Sequence, residues 1–488
     1  MRASPFVASL ASIAMLASCG GGGSGSGSSA TPAPGAGAPT PSPTASSAPC
    51  SLTSRAAAFD AVIDEWYVFP DLLANPSIAS FANLDDYIDA RVAPARAQNK
   101  DRYFTYLTSI AEENAYYSSG SSAGFGFRLS YDTAARRVWV AETFEDTPAL
   151  GANLDRGTEI LAIGTSPSNL QTIDEIMASN PVYPDYAVYL ALGPNDAGVT
   201  RVLRVRDQSG VTREVSLTKT DFALDPVSDR YGAKVIDDNG KKVGYFNLRT
   251  FIEPAIADMR VAFDDFRSQG ITEFVVDLRY NGGGALSVSD VLGDLLARDY
   301  VGEIYYTLAF RPSKSGENET YRFVSRSQSV APTRIAFIGT GSTASASELV
   351  INGLQPYLGT NMALVGSNTY GKPVGQSAFD LPDCDDRLRL LTFKLENAEG
   401  NGEYFNGLAT TVPNTCRADD DLSFQLGDPR ENMVARALDF LAGRSCAPIA
   451  TSTDDAIAST EPTSLGKRGL LTPEQPRSTA EREVPGLF

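Results

Sequence analysis

The chain has 488 residues, 42% hydrophobic and 20% charged, enough for two or three domains with substantial cores. Its formal net charge of −18 argues against nucleic acid or an anionic membrane surface as the partner. It contains no histidine at all, which excludes a Ser-His-Asp triad.

Arg2 is followed by an apolar run, Pro5 to Leu16, too short to span a bilayer and of signal-peptide length. The run ends in Leu16-Ala17-Ser18-Cys19, which resembles the lipobox of bacterial lipoproteins. That resemblance implies removal of residues 1–18 and lipidation of Cys19, so that the chain is anchored to a membrane without spanning it. The expected location is then the bacterial cell envelope, facing the periplasm or the exterior. An ordinary signal peptide that happens to contain a cysteine is the competing reading. Residues 19–49 are nearly all Gly, Ser, Ala, Pro and Thr and read as a disordered tether.

The remaining cysteines are Cys50, Cys384, Cys416 and Cys446. In an exported chain they suggest two disulfides with three possible pairings, of which Cys384 with Cys416 and Cys50 with Cys446 is the expectation. None stands in a Cys-x-x-Cys spacing, so no zinc site is expected.

From Ala56 to Phe69, apolar residues recur at three- and four-residue spacing, and the segment 50–118 reads as a helical N-terminal unit. Residues 119–222 then carry short strands and two brief helices, a compact module. From 223 to 446 strands alternate with helices: Val243–Leu248, Ile256–Ser268, Phe274–Leu278, Ser287–Ala297, Ile335–Ile338, a helix from Ser345, and Ala363–Val365. That alternation implies a largely parallel core sheet. Residues 447–488 are polar and rich in Pro, Thr and Ser, and read as a disordered tail.

Ser345 follows a strand and a small-residue loop and opens a helix, a position where the helix N-terminus stabilises developing negative charge. Ser345-Ala-Ser-Glu348 equally satisfies a capping box, in which the serine merely caps the helix. Lys372 tips the balance. If the strands before the two residues are neighbours, both emerge at carboxyl ends, where α/β sites form. A free lysine amine, with a pKa of about 10.4, must be pulled down by burial before it serves as a base. Gln376, four residues on, is placed to orient the amine. Asp277-Leu-Arg-Tyr-Asn-Gly-Gly-Gly284 puts three glycines after a buried strand, where backbone N–H groups can converge on an oxyanion. It matches neither phosphate-loop pattern, and Asp277 with Arg279 reads as a structural pair.

Asp277–Gly284, Thr343-Ala-Ser-Ala-Ser-Glu348 and Thr369-Tyr-Gly-Lys372, in that order, resemble the C-terminal processing (tail-specific) peptidase family. The resemblance runs from about Phe59 to Leu441 and implies a crotonase/Clp-protease-like α/β core with an inserted PDZ-like domain. It assigns Ser345 as nucleophile, Lys372 as base and Gln376 as its support, with the N–H groups of Ala346 and Gly283 as oxyanion donors. Thr147-Pro-Ala through Ile160–Ile163 resembles the family's PDZ domain, and Gly124-Phe125-Gly126-Phe127 its loop for a peptide's C-terminal carboxylate. Arg128 beside it either adds a charge for that carboxylate or points to solvent. The spacing from serine to lysine is somewhat longer than in well-known members, and the stretch 384–416 looks like an elaboration.

The expected protein is therefore an exported, membrane-tethered serine endopeptidase acting on polypeptides with accessible C-termini, without metal or cofactor. A non-catalytic peptide- or ligand-binding lipoprotein on the same fold is the alternative. Acyl-CoA chemistry, which shares the core fold, fits poorly with an export signal and a peptide-binding module.

Overall fold

Strict alternation of apolar residues organises the centre of the molecule. In the computed structural model, which describes residues 49–450, 469–473, 476 and 478–488, six strands form the core sheet. Their order is Ala233–Asp238, Lys241–Asn247, Glu273–Asp277, Arg334–Gly339, Met362–Gly366 and Thr415–Arg417. The first pair is antiparallel and the other four pairings are parallel. Both faces are covered, as a parallel sheet requires. Phe274, Val276, Ile335, Phe337 and Leu364 face the helices Ala255–Ser268, Leu286–Leu295 and Ala346–Leu358. Val275, Ala336, Ile338, Ala363 and Val365 face the helix Asn432–Leu441. This period of two is the signature that a strand buried on both faces keeps even when every residue is apolar.

A five-stranded antiparallel sheet flanks this core, built from Tyr106–Ser109, Ile304–Phe310, Glu319–Arg322, Val374–Leu381 and Asp386–Glu396. The helices Leu52–Trp66 and Leu84–Arg96 do not stand as a body of their own. One apolar cluster joins their Phe59, Ile63, Tyr87, Ile88 and Val92 to Val374, Leu388, Leu390 and Leu391 of that sheet. A disulfide from Cys50 to Cys384 ties the same two parts together, and a second links Cys416 to Cys446. The expected pairing is thereby corrected: the same four cysteines are used, but with a different connectivity.

Residues 127–218 form the remaining large sheet. Its order is Gly469–Leu470, Phe127–Asp132, Arg137–Thr143, Glu159–Gly164, Thr200–Arg206 and Thr212–Thr218, with Gln171–Thr172 pairing onto Glu159–Gly164. The helices Ile173–Ser179 and Pro184–Leu192 close its apolar core. A two-stranded ribbon, Ser121–Gly124 against Thr220–Ala223, brackets the module at its entry and exit.

The first strand of that sheet comes from the far end of the chain. The segment expected to be a disordered tail is folded where it is described: Gly469–Leu470 is a strand, Thr479–Glu483 a helix, and Leu471, Val484, Leu487 and Phe488 are buried. Its polar composition conceals a few apolar anchors that find partners in the body. Residues 1–48, with the apolar run, Cys19 and the Gly/Ser/Pro tether, lie outside the described residues. Among the described residues no helix is long and apolar enough to cross a membrane.

Candidate active site

The strand Arg334–Gly339 leads through a short turn to Ser345, which adopts φ 55° and ψ −116° before the helix Ala346–Leu358 begins. A non-glycine residue at positive φ costs about 1–2 kcal/mol and persists only where its surroundings enforce it. Here they do. Ala344 N–H donates to Asn281 O at 3.0 Å, Ser347 Oγ donates to the same carbonyl at 3.1 Å, and Thr343 Oγ1 donates to Leu278 O at 2.8 Å. The helix beyond is anchored by Leu349, Val350 and Leu354, all fully buried, at about 1.5–3 kcal/mol each.

Gly283 touches the serine. A β-carbon on it would lie 2.7 Å from Ser345 Cβ and 3.2 Å from the Ala346 nitrogen, and its φ of +119° is one that glycine tolerates. The glycine turn, the serine and the first N–H of the helix therefore meet at one point. Ala346 N–H belongs to the first turn, whose donors have no partner within the helix.

The expected role of Gly283 needs correction. Its N–H donates to Asn281 Oδ1 at 2.9 Å and is already committed. The neighbouring Gly282 N–H is the one that holds a carbonyl, that of Glu483, at 3.0 Å. Asp277 and Arg279 do pair, at 3.0 Å, and Arg279 also reaches Glu431 and Asp420. The loop is thus fixed from below by an ionic network in which Asp277, Arg279 and Glu431 are fully buried and Asp420 partly so.

Lys372 sits in the turn after the strand Met362–Gly366, which neighbours Arg334–Gly339 in the sheet. It is only 8% exposed. Its Nζ donates to Gln376 Oε1 at 3.1 Å and lies 5.0 Å from the centroid of the Phe104 ring. Gln376 is held in turn, since its Nε2 donates to Phe104 O. Burial pushes the lysine below its ordinary value, while the Glu483 carboxylate acts in the opposite direction. A desolvated amine kept near a neutral acceptor is what a lysine base requires.

Glu348 joins the two halves of the site. It is fully buried on the first turn of the serine's helix. Its Oε2 accepts from Ser345 N–H at 3.1 Å and from Lys372 N–H at 2.8 Å, and its Oε1 accepts from Gly371 N–H at 2.7 Å. Burial raises its pKa, and hydrogen bonds from Thr369 and from those backbone groups oppose the rise. In the sequence Glu348 reads only as the end of a capping box. Its reach to the lysine loop has no local signal.

Two further residues come from the N-terminal helices' side and are equally silent in the sequence. Arg102 donates to Tyr370 O at 2.6 Å and Gly371 O at 2.7 Å, and its guanidinium lies 4.0 Å from the Tyr370 ring centroid. Phe104 supplies both the apolar wall beside Lys372 and the carbonyl that positions Gln376.

The Gly124–Phe127 loop lies on the other large sheet. There Gly126 N–H donates to Phe488 O at 2.8 Å and Phe127 N–H to the same oxygen at 3.4 Å, while Phe488 N–H donates to Phe127 O at 3.0 Å. Gly124 is closed against Phe488 too, since a β-carbon there would lie 2.5 Å from the Phe488 carbonyl carbon. Phe125 is fully buried in the cluster that also contains Phe488. Arg128 does neither of the two things expected of it. It is fully buried, pairs with Glu142 at 3.1 Å and donates to Tyr280 O, so it ties the sheet to the glycine turn.

Residues 242–413 match the family model for peptidase family S41. A carboxyl-terminal-processing protease of Picosynechococcus sp. is 29% identical over 267 residues, covering 54% of this chain and 58% of the relative. A protease of the same description from Synechocystis sp. is 25% identical over 329 residues, covering 67% of this chain and 70% of the relative. The match thus spans little more than half the length of the first of these relatives. Among solved structures, a candidate S41 protease from Bacteroides fragilis superposes with a TM-score of 0.61 at 24% identity, over 79% of this chain and 97% of that one. This last likeness bears on the fold, a mixed α/β arrangement of several parts. Residues 242–413 therefore make up a peptidase family S41 domain, and the chain's relatives by sequence are carboxyl-terminal-processing proteases.

Proposed function

We propose that the protein is an exported, lipid-anchored serine endopeptidase that cleaves polypeptides captured by their C-termini. The observation that carries the reading is the shared carboxylate. Glu348 accepts from both Ser345 and Lys372, so a strained serine and a buried lysine are held on one rigid support. In this reading neutral Lys372 takes the proton from Ser345 Oγ as that oxygen attacks a peptide carbonyl. The tetrahedral oxyanion is held by Ala346 N–H and by the glycine turn, where Gly282 N–H serves as donor once the Glu483 carbonyl has left it. The Lys372 ammonium then protonates the leaving amine; Lys372, neutral again, takes a proton from the water that attacks the acyl group and returns it to Ser345 Oγ as the acyl–oxygen bond breaks.

Gln376 supports this by keeping the amine in place as it gains and loses a proton. For capture, we assign the N–H groups of Gly126 and Phe127 to a substrate's terminal carboxylate, and the side of the strand Phe127–Asp132 that Gly469–Leu470 pairs in this structure to an added strand. The sheet of residues 127–218 is then the PDZ-like module. Export and lipidation at Cys19 rest on the sequence of the first nineteen residues.

The test is cleavage of an unstructured reporter polypeptide, followed by mass spectrometry, by the parent beside Ser345→Ala and Lys372→Ala. Cleavage by the parent alone, with all three folded by circular dichroism, supports the dyad. Cleavage by Lys372→Ala at the parental rate overturns it.

A further inference from the structure

The C-terminal segment runs through both sites just described. Gly469–Leu470 pairs antiparallel with the strand Phe127–Asp132, Gly469 opposite Tyr131 and Leu470 opposite Ser130, and Leu471 N–H continues the ladder to Leu129 O at 2.8 Å. Further on, Leu487 bridges to Arg128 on the same strand, and Phe488 fills the Gly124–Phe127 loop. The Phe488 side chain is 1% exposed, and its ring centroid lies 5.6 Å from that of Tyr189.

Between these contacts the helix Thr479–Glu483 crosses the catalytic turn. Glu483 O accepts from Gly282 N–H, and a β-carbon on Gly282 would lie 2.5 Å from Arg482 O. The Glu483 side chain is buried close enough to Lys372 for each to shift the other's titration. Arg482 stacks on Tyr106 at 3.7 Å to the ring centroid and donates to Tyr103 O at 3.1 Å. Ala480, Val484 and Leu487 share one apolar cluster with Tyr116, Phe144, Leu224 and Ile252. A single segment thus contacts Tyr103, Tyr106 and Tyr116, the glycine turn of the core and the second sheet.

We infer that the C-terminal segment, through its described residues 469–473 and 478–488, is a tethered competitor: it occupies the groove for a polypeptide C-terminus and covers the catalytic glycine turn, so that substrate must displace it before it is cut. The inference rests on the reading of Gly124–Phe127 as that groove. A carbonyl already sits on Gly282 N–H, so with the segment in place this donor is engaged and not open to a scissile carbonyl. The Glu483 side chain, buried beside the base, works against the burial that lowers Lys372. Release of the segment frees the Gly282 N–H.

The test uses the full chain and a fluorescein-labelled peptide with the sequence of residues 479–488, read by anisotropy. It compares the parent with Leu487→Asp/Phe488→Asp, which empties the groove. A second variant, Val484→Asp, ejects the helix without changing the apolar core of the sheet and keeps the test valid should the first not fold. We expect both variants to bind the peptide at least tenfold more tightly than the parent. We also expect both to cut the reporter at least tenfold faster, and added peptide to restore the parental rate to the Val484→Asp variant. Equal peptide affinity for parent and variants overturns the inference. Tighter binding by both variants with no cleavage by any form supports the occupied groove and sinks the peptidase reading instead.

Discussion

The backbone N–H groups of Ser345 and Lys372 donate to the same carboxylate oxygen, Oε2 of Glu348, at 3.1 and 2.8 Å. The relative position of the two chemical groups is therefore set by one buried side chain rather than by the sheet alone. Glu348→Ala leaves the N–H groups of Ser345, Gly371 and Lys372 buried without their acceptor. Each unsatisfied group costs about 1–3 kcal/mol, so a loss of several kcal/mol in denaturant unfolding is expected. Glu348→Gln keeps the shape and one acceptor oxygen. It should cost less stability but lower kcat by about 10²-fold with little change in KM, as displacement of catalytic groups does. Parental kcat in Glu348→Gln removes the positioning role.

Lys372 should set the limb along which activity rises with pH. Only its neutral form accepts a proton, so kcat/KM rises with pH, with an apparent pKa below the ordinary 10.5 because burial disfavours the ammonium. Stability follows with a definite sign. Between the depressed folded value and the unfolded one, the unfolded chain binds more protons, so stability rises with pH across that window. Below it the buried charge carries its full cost. Lys372→Met removes that cost, and its gain in melting temperature over the parent should be largest at low pH and shrink as pH rises. A difference that does not vary with pH refutes the depressed lysine. Phe104→Ser, which lets water reach the amine, should move the activity limb towards higher pH.

Gly283→Ala should abolish turnover while leaving the fold. The added β-carbon falls 2.7 Å from Ser345 Cβ at a φ of +119°, so the serine or the glycine turn must shift. Overpacking of this kind costs about 1–3 kcal/mol, which a domain of this size withstands. Circular dichroism should be unchanged and the reporter uncut. A variant that cuts at the parental rate shows that the turn is free to move away from the serine.

Periodicity carried the core into view. The strands Glu273–Asp277, Arg334–Gly339 and Met362–Gly366 and the helices Ala255–Ser268 and Leu286–Leu295 fall within a residue or two of where their apolar patterns put them. Ser345, Lys372 and Gln376 were legible because each lies in a short motif whose chemistry has a local signature. Glu348 was visible only in part: three residues from Ser345 it reads as a helix cap, and its bonds to Gly371 and Lys372 depend on the pairing of two strands. Arg102 and Phe104 act on residues more than 260 positions away, and no local pattern announces such contacts. The tail escaped notice for the opposite reason. Its burial depends on a handful of residues, Leu471, Val484, Leu487 and Phe488, scattered through a polar sequence.

The disulfide connectivity is the clearest case of a choice the sequence left open, and it is directly checkable. Four cysteines admit three pairings, and proximity in the fold selects Cys50 with Cys384 and Cys416 with Cys446. The first encloses a loop of more than 300 residues, with a sequence separation of 334. Cross-links stabilise mainly by limiting the unfolded chain, typically by about 2–4 kcal/mol, with a weak dependence on loop length. Cys50→Ser with Cys384→Ser should therefore lower stability by about that amount. It should also loosen the helix Leu52–Trp66, whose packing on Leu388 and Leu390 the bridge reinforces. Because Phe104 and Arg102 reach the lysine loop from that same side, the double variant should lose activity on warming at a lower temperature than it loses secondary structure. Peptide mapping without reduction provides the decisive check: a fragment joining Cys50 to Cys446 would overturn the pairing, and the packing argument would go with it.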